Sequence, residues 1–299
     1  MKYIDRTKVI YAMSPDNKAA ARVQPNNAVT FQTHDCFGGQ IKSEEQKFEE
    51  IGWDRINPAT GPLFVEGASP GDVLAVDIVD IRILEQGVMV AAPKLGVLKD
   101  YFSKSTTKII PIQEGKAVFD EKIEIPISPM IGVIGTAPKA ESIPCGTPGD
   151  HGGNMDCKRI ERGTTLYLPV NVPGGLLAMG DLHAVMGDGE ILICGLEIAG
   201  EVDVRLRVLP SIALPMPVLE NDKVWMTIAS AETLDEAAEK ATKTMFELMT
   251  SAEQISFEDA GMLMSMAGQL QICQVVDPLK TARFEMPKEI LAKLGISLL

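Results

Sequence analysis

Across its first 209 residues the chain almost never offers an uninterrupted amphipathic run long enough for an ordinary helix. What it offers instead are short apolar segments, partly β-branched, each bounded by Gly, Pro or Asp. Residues 73–79 (VLAVDIV), 123–127 (IEIPI), 131–134 (IGVI), 165–170 (TLYLPV) and 190–196 (EILICGL) are of this kind. Short runs between turn formers are the signature of strands. In GASPGDVLAVDI, residues 67–78, a Pro-Gly-Asp turn feeds a stretch with near-alternating apolar positions. The constraint is strong: this part must be a β-rich sandwich or barrel, the mainly β core of an α+β chain.

The pattern changes after Leu209. Three prolines (Pro210, Pro215, Pro217) fall within eight residues, which predicts an extended connector over 210–219. The expected organisation is thus a β-rich core over 1–209, the connector, and a smaller α/β region over 220–299 packed on the core. Residues 224–230 read as a strand. Thr233 and Glu236 form a capping-box pair, and Leu234, Ala237, Ala238, Ala241, Met245, Leu248 and Met249 supply a helical stripe. Ser256 and Asp259 repeat the start signal before a second helix ending near Gly268, whose Met-rich run GMLMSMAG is expected to pack into the core. Residues 270–276 read as a strand and 287–294 as a last helix, with Pro at its start and Gly295 past its end.

With 299 residues, 45% hydrophobic and 23% charged, the chain is large enough to bury a sizeable core. Its net charge of −13 and lack of Lys/Arg clusters argue against nucleic acid or an anionic membrane as partner. An acidic balance is compatible with a carboxylate-rich cation site. The N-terminal MKYIDRTKVIYAMSPDNKAA lacks the apolar core of a signal peptide, and no run approaches the roughly 18 apolar residues of a membrane span. Five cysteines without scaffold-like spacing fit a reducing compartment. The expectation is a soluble cytoplasmic protein.

The three histidines, His34, His151 and His183, each sit in a segment that also holds an aspartate and glycines: THDCFGGQ, GDHGGNMD and GDLHAVMGDGE. Any one of them reads as an ordinary hydrogen-bonded histidine. All three together point to segments converging on one site, where His and Asp suit Zn²⁺ or a similar divalent ion. Asp188, between Gly187 and Gly189, reads as a turn former. Cys36 and Cys157 stand beside Asp35 and Asp156, and a neighbouring carboxylate raises a thiol's pKa, so buried, inert cysteines are the default. A thiol nucleophile at either position is the rival mechanism.

Several longer motifs, in order, resemble the acetamidase/formamidase family of amide hydrolases. They are HDCFGGQI (34–41), NPATGPLFVEGASPGDVLAVDI (57–78), HGGNMD (151–156), LYLPVNVPGGLLAMGDLHAVMGDGE (166–190) and CGLEIAGEV (194–202). Together they span most of residues 30–205. The resemblance implies hydrolysis of a short aliphatic amide, formamide or acetamide, to carboxylate and ammonia. It also implies a β-rich fold with a smaller α/β part, a divalent metal, and assembly into homodimers or larger oligomers. Carried over by motif, Asp35, Asp156, His183 and Glu197 fall to cation binding or base work, and His151 to proton transfer. Only one of His34 and Asp35 can face the site if both lie on a strand, and Asp35 is chosen. The Gly152 and Gly153 N–H groups become oxyanion donors. The mixed His and carboxylate set favours Zn²⁺, and an all-oxygen second site would take Ca²⁺ or Mg²⁺. Two alternatives stay open: a cysteine amidase using Cys36 or Cys157, and a non-catalytic metal- or ligand-binding protein of the same fold.

Overall fold

The computed structural model describes residues 2–212, 214–251 and 253–299. Two large sheets carry the architecture. The first has nine strands, in spatial order Lys2–Ile4, Ala28–Thr33, Gly200–Leu209, Val73–Ile83, Thr165–Pro169, Val218–Glu220, Val224–Ala231, Lys280–Pro287 and Gln269–Gln274. The second has eleven, with Leu177–His183 at its heart. That strand pairs with Met130–Gly135 along one side, and with Glu197–Ile198 and Ala59–Val65 along the other.

The two sheets face each other across one apolar layer. Leu74, Val76 and Ile78 from the first meet Ile131, Ile134 and Leu177 from the second, all buried. Because side chains alternate along a strand, Val73 and Ala75 point the opposite way. They enter a second core with Tyr167, Trp225 and Met245. The strand Val73–Ile83 is therefore covered on both faces over its first half, so VLAVDI is nearly continuous in apolar character and not the alternating, one-sided strand expected from the sequence.

The outer cover of the first sheet is helical. Helix α1 (Leu234–Thr250) begins at Thr233, whose hydroxyl accepts from the Glu236 N–H while the Glu236 carboxylate accepts from the Thr233 N–H, the predicted capping box. Its Ala237, Ala241, Met245 and Met249 are buried. Helix α2 (Phe257–Ala267) starts at Ser256, which caps the Asp259 N–H, and α3 (Lys288–Lys293) follows Pro287. In α2 only Ala260 and Met264 are buried; Met262 and Met266 face outward, so the Met-rich run is half core and half surface. No helix among the described residues is long and apolar enough to cross a membrane.

Two further expectations change. Residues 190–196 form a loop, not a strand: Gly189, Glu190 and Ile193 take positive φ (100°, 47° and 88°), and together they break up the extended backbone that the segment would need. The segment 210–219 (Ala213 lies outside the described residues) marks a change in helix content but no break in the sheet. Its end already belongs to the strand Val218–Glu220, which pairs with Thr165–Pro169, and the later strands continue the same sheet.

Candidate active site

The site grows out of the strand Leu177–His183, buried along its whole length. Asp181 adopts φ 55°, and the alternation shifts phase there, so that Met179 and Leu182 both reach the core while Asp181 and His183 turn to the site. His183 lies directly opposite Glu197 on the neighbouring strand. Cross-strand partners are close enough for their side chains to touch, and His183 Nε2 stands 2.9 Å from Glu197 Oε1. The same nitrogen is 3.5 Å from Asp181 Oδ1, 3.8 Å from Asp156 Oδ1 and 3.8 Å from Glu190 Oε1.

Glycines make room for this convergence. A Cβ on Gly132, in the adjacent strand Met130–Gly135, would stand 2.5 Å from Asp156 Oδ1 and 2.7 Å from Asp181 Oδ2. One on Gly195 would meet the His183 ring at 2.7 Å. Asp277 comes from the far C-terminal part of the chain. The Asn154 amide donates to its Oδ2 at 2.9 Å, and the Asp277 N–H is held by Gln274 Oε1.

The electrostatics are those of an uncompensated acidic cluster. Burial, reinforced by mutual repulsion, pushes Asp156, Glu190, Glu197 and Asp277 well above the usual carboxylate range. Asp181 goes the other way: despite burial, the adjacent His183 holds it below. Burial likewise opposes charge on His183, yet Glu197 and Asp181 hold its imidazolium well above its ordinary value. Both Asp156 oxygens, Asp181 Oδ1, Glu197 Oε2 and both His183 nitrogens are buried without a hydrogen-bond partner. Buried charged groups are normally paired or metal-bound. Oxygens and nitrogens that converge without hydrogen-bond geometry are what ligands of a common cation look like. Two groups have donor atoms mutually within 4.8 Å, namely Asp156, His183 and Glu190, and Cys36, Asp181 and Glu197.

Above this cluster opens a cavity of about 520 Å³, with Asn154, Asp181, Glu190, Glu197 and Asp277 on its polar floor. Of the residues singled out in the sequence, Asp156, His183 and Glu197 meet in the cluster. Asp35 stays outside it: its Oδ1 accepts from the Gly39 N–H at 2.9 Å and holds a turn that begins after the strand ends at Thr33. Strand alternation therefore does not govern His34 and Asp35, and the turn sends Cys36 to the carboxylates instead. His151 is buried with its Nε2 unpartnered, does not line the cavity, and has its pKa lowered to about 4 by burial. The Gly152 N–H donates to the Gly149 carbonyl. A Cβ there would lie 2.3 Å from Ile134 O, and one on Gly153 2.5 Å from Thr147 O, so close backbone packing requires both glycines.

The cysteines carry little nucleophilic character. Burial, then Glu197 and Asp181, raise the Cys36 thiol well above its ordinary value. Cys157 is held lower by Cys273 and Arg283 despite its burial, but it has no surface in the cavity. Asp181, Glu190, Asn154 and Asp277 were not reached from the sequence. Asp181 and Glu190 fall within GDLHAVMGDGE and Asn154 within GDHGGNMD, whereas nothing near Asp277 distinguishes it.

The family model described as Acetamidase/Formamidase matches residues 5–144 and 139–292. An acetamidase from Bacillus halodurans, known from its crystal structure, is 51% identical, with 98% of this chain and 100% of that chain covered and a TM-score of 0.97. A predicted acetamidase/formamidase from Thermoanaerobacter tengcongensis is 49% identical, with 99% of each chain covered and a TM-score of 0.97. The formamidase of Methylophilus methylotrophus is 28% identical over 65% of this chain, and the match spans 62% of that protein. With motifs, fold and acidic cluster in place, the match over nearly the whole length is decisive: the chain belongs to the acetamidase/formamidase family.

Proposed function

We propose that this chain hydrolyses the C–N bond of a linear carboxamide, releasing carboxylate and ammonia, with a divalent cation in the acidic cluster. The observation that carries the reading is the set of four carboxylate oxygens within 3.8 Å of one buried imidazole nitrogen, at the floor of an open cavity. The amide substrate is supported by the names of the relatives, formamidase and acetamidase. Asp156, His183 and Glu190 would hold the ion, and one imidazole with carboxylates suits Zn²⁺. Asp181 and Glu197 could add a second ion, for which Ca²⁺ or Mg²⁺ would use the oxygens and leave the Cys36 sulfur aside. When bound, the cation would acidify a water molecule and polarise the amide carbonyl.

The chain's own residues supply the rest. Asn154 lines the cavity with its Oδ1 unpartnered, and that oxygen would accept an N–H from the substrate amide and orient it. Asp277, fixed beside Asn154, would take the proton of the attacking water and pass it to the departing nitrogen. We give this work to Asp277 and not to His151, which has no surface in the cavity.

The test is ammonia release from formamide and acetamide by protein as isolated, after chelation, and after Zn²⁺ is restored, with bound metal counted each time. Activity should vanish and return with the metal. Full activity in metal-free protein would sink the cation reading and turn attention to Cys36. Silence of the metal-loaded protein toward every amide would favour a binding protein of the same fold.

A further inference from the structure

The cavity is far larger than formamide or acetamide requires. It encloses about 520 Å³. Acetamide, with four non-hydrogen atoms, displaces no more than about four waters, roughly 120 Å³ at the liquid share of about 30 Å³ each. The extra room is lined mainly by apolar side chains. Phe37 and Phe48 are buried and Trp53 is half exposed, their rings in edge-to-face contact at 5.8 and 5.4 Å between centroids. Leu95, Ile193 and Val276 complete this wall.

The wall is continuous with the floor. Phe37 directly follows Cys36, whose sulfur lies with Asp181 and Glu197, and Val276 directly precedes Asp277. A cavity with converging polar groups at one end and aromatic and aliphatic sides suits a ligand with a polar head and an apolar body. Charge narrows the class further. No Lys or Arg lines the cavity among the described residues, whereas Asp54 joins the four floor carboxylates. An anionic group carried against the aromatic wall, away from the cation at the floor, would meet Asp54 and no side-chain cation.

Resting on the amidase reading, we infer that the preferred substrate is a neutral primary amide with a bulky aryl-bearing acyl group, of the arylacetamide type. Its amide head meets Asn154 and Asp277, and its ring lies against Phe37 and Trp53. The reaction is the same hydrolysis: water adds, the C–N bond breaks, and an arylacetate and ammonia leave. Burying a ring of this size is worth roughly 10- to 100-fold in kcat/KM over acetamide.

The experiment compares kcat/KM of the Zn²⁺-loaded protein for acetamide, phenylacetamide and 4-carboxyphenylacetamide. Phenylacetamide should exceed acetamide by at least tenfold, and the added carboxylate should remove at least tenfold of that gain. Trp53→Ala should lower the phenylacetamide-to-acetamide ratio several-fold, and Trp53→Phe should largely retain it. Turnover of acetamide with no preference for phenylacetamide would overturn this inference and leave the amidase reading standing. A ratio unmoved by Trp53→Ala would overturn the placement of the ring. No ammonia from any of the three amides, nor from formamide run beside them, would overturn both readings together.

Discussion

Gly132 has no group that could bind or react, yet the acidic cluster depends on it. An alanine Cβ at this position would stand 2.5 Å from Asp156 Oδ1, 2.7 Å from Asp181 Oδ2 and 2.9 Å from the Asp181 carbonyl, against the 3.4 Å at which contact becomes ordinary. The strand itself cannot yield, because Met130–Gly135 is paired with Leu177–His183 on one side and Gly152–Asn154 on the other. The carboxylates must therefore move by close to the full difference, about 1 Å. Overpacking of this kind costs roughly 1–3 kcal/mol. A displacement of about 1 Å at a reacting centre costs on the order of 100-fold in rate. Gly132→Ala should accordingly lower Tm by several degrees and kcat about 100-fold, and should bind the metal more weakly. The assay is ammonia release at saturating Zn²⁺, with metal content and thermal melts on the same samples. Gly261→Ala is the control: it lies inside α2 with nothing within 4 Å of the added carbon, so it should keep wild-type rates and gain up to about 1 kcal/mol. A Gly132→Ala protein with wild-type kcat and metal content would refute the steric argument.

Three further outcomes are expected. Burial lowers the pKa of His151 from its ordinary 6.5 to about 4. The unfolded chain therefore binds the extra proton between those values, and about 3 kcal/mol of stability, present above pH 6.5, is lost as pH falls toward 4. Urea midpoints across this window should drop more steeply for the native protein than for His151→Gln; equal slopes would contradict the assignment. Arg283 is 1% exposed and donates to Asp188 at 2.8 and 3.1 Å and to Glu285 at 3.0 Å. Removing one partner of a buried ion pair is costly, so Arg283→Met should lose about 3 kcal/mol in urea unfolding. Thr233→Ala removes the capping box of α1 and should cost about 1 kcal/mol in thermal unfolding without changing turnover.

Local chemistry decided which parts of this molecule could be read ahead of the structure. Thr233 and Ser256 announce their helices because a cap is a contact between residues three apart, entirely contained in the sequence. The strand content before residue 209 was legible for the same reason, since turn formers and short apolar runs are local. His183 opposite Glu197 is a different matter. Their pairing is set by sheet register, and only the motif resemblance put both residues in view. Asp181 and Glu190 escape periodic reasoning because both sit at positive φ, where alternation loses its phase. Asp277 reaches the floor from more than a hundred residues beyond Asn154, its hydrogen-bond partner. The glycine pair after His151 invited a substrate-facing reading, and its geometry answers to Ile134 and Thr147 instead.

The strand Val73–Ile83 pairs with Gly200–Leu209 on one edge and has the helical layer over the face that bears Val73 and Ala75. During synthesis its long edge partner is not available until residue 209 has been made, roughly 6 to 25 s after residue 83 at about 5–20 residues per second. The cover for its other face follows later still. A nascent chain thus holds a sticky β-segment whose long edge stays open for well over a third of its own translation, with only Thr165–Pro169 to pair its other edge. Ribosome pausing between these two points, or a stop codon soon after residue 209, should drive the product into aggregates before any catalytic defect can be measured.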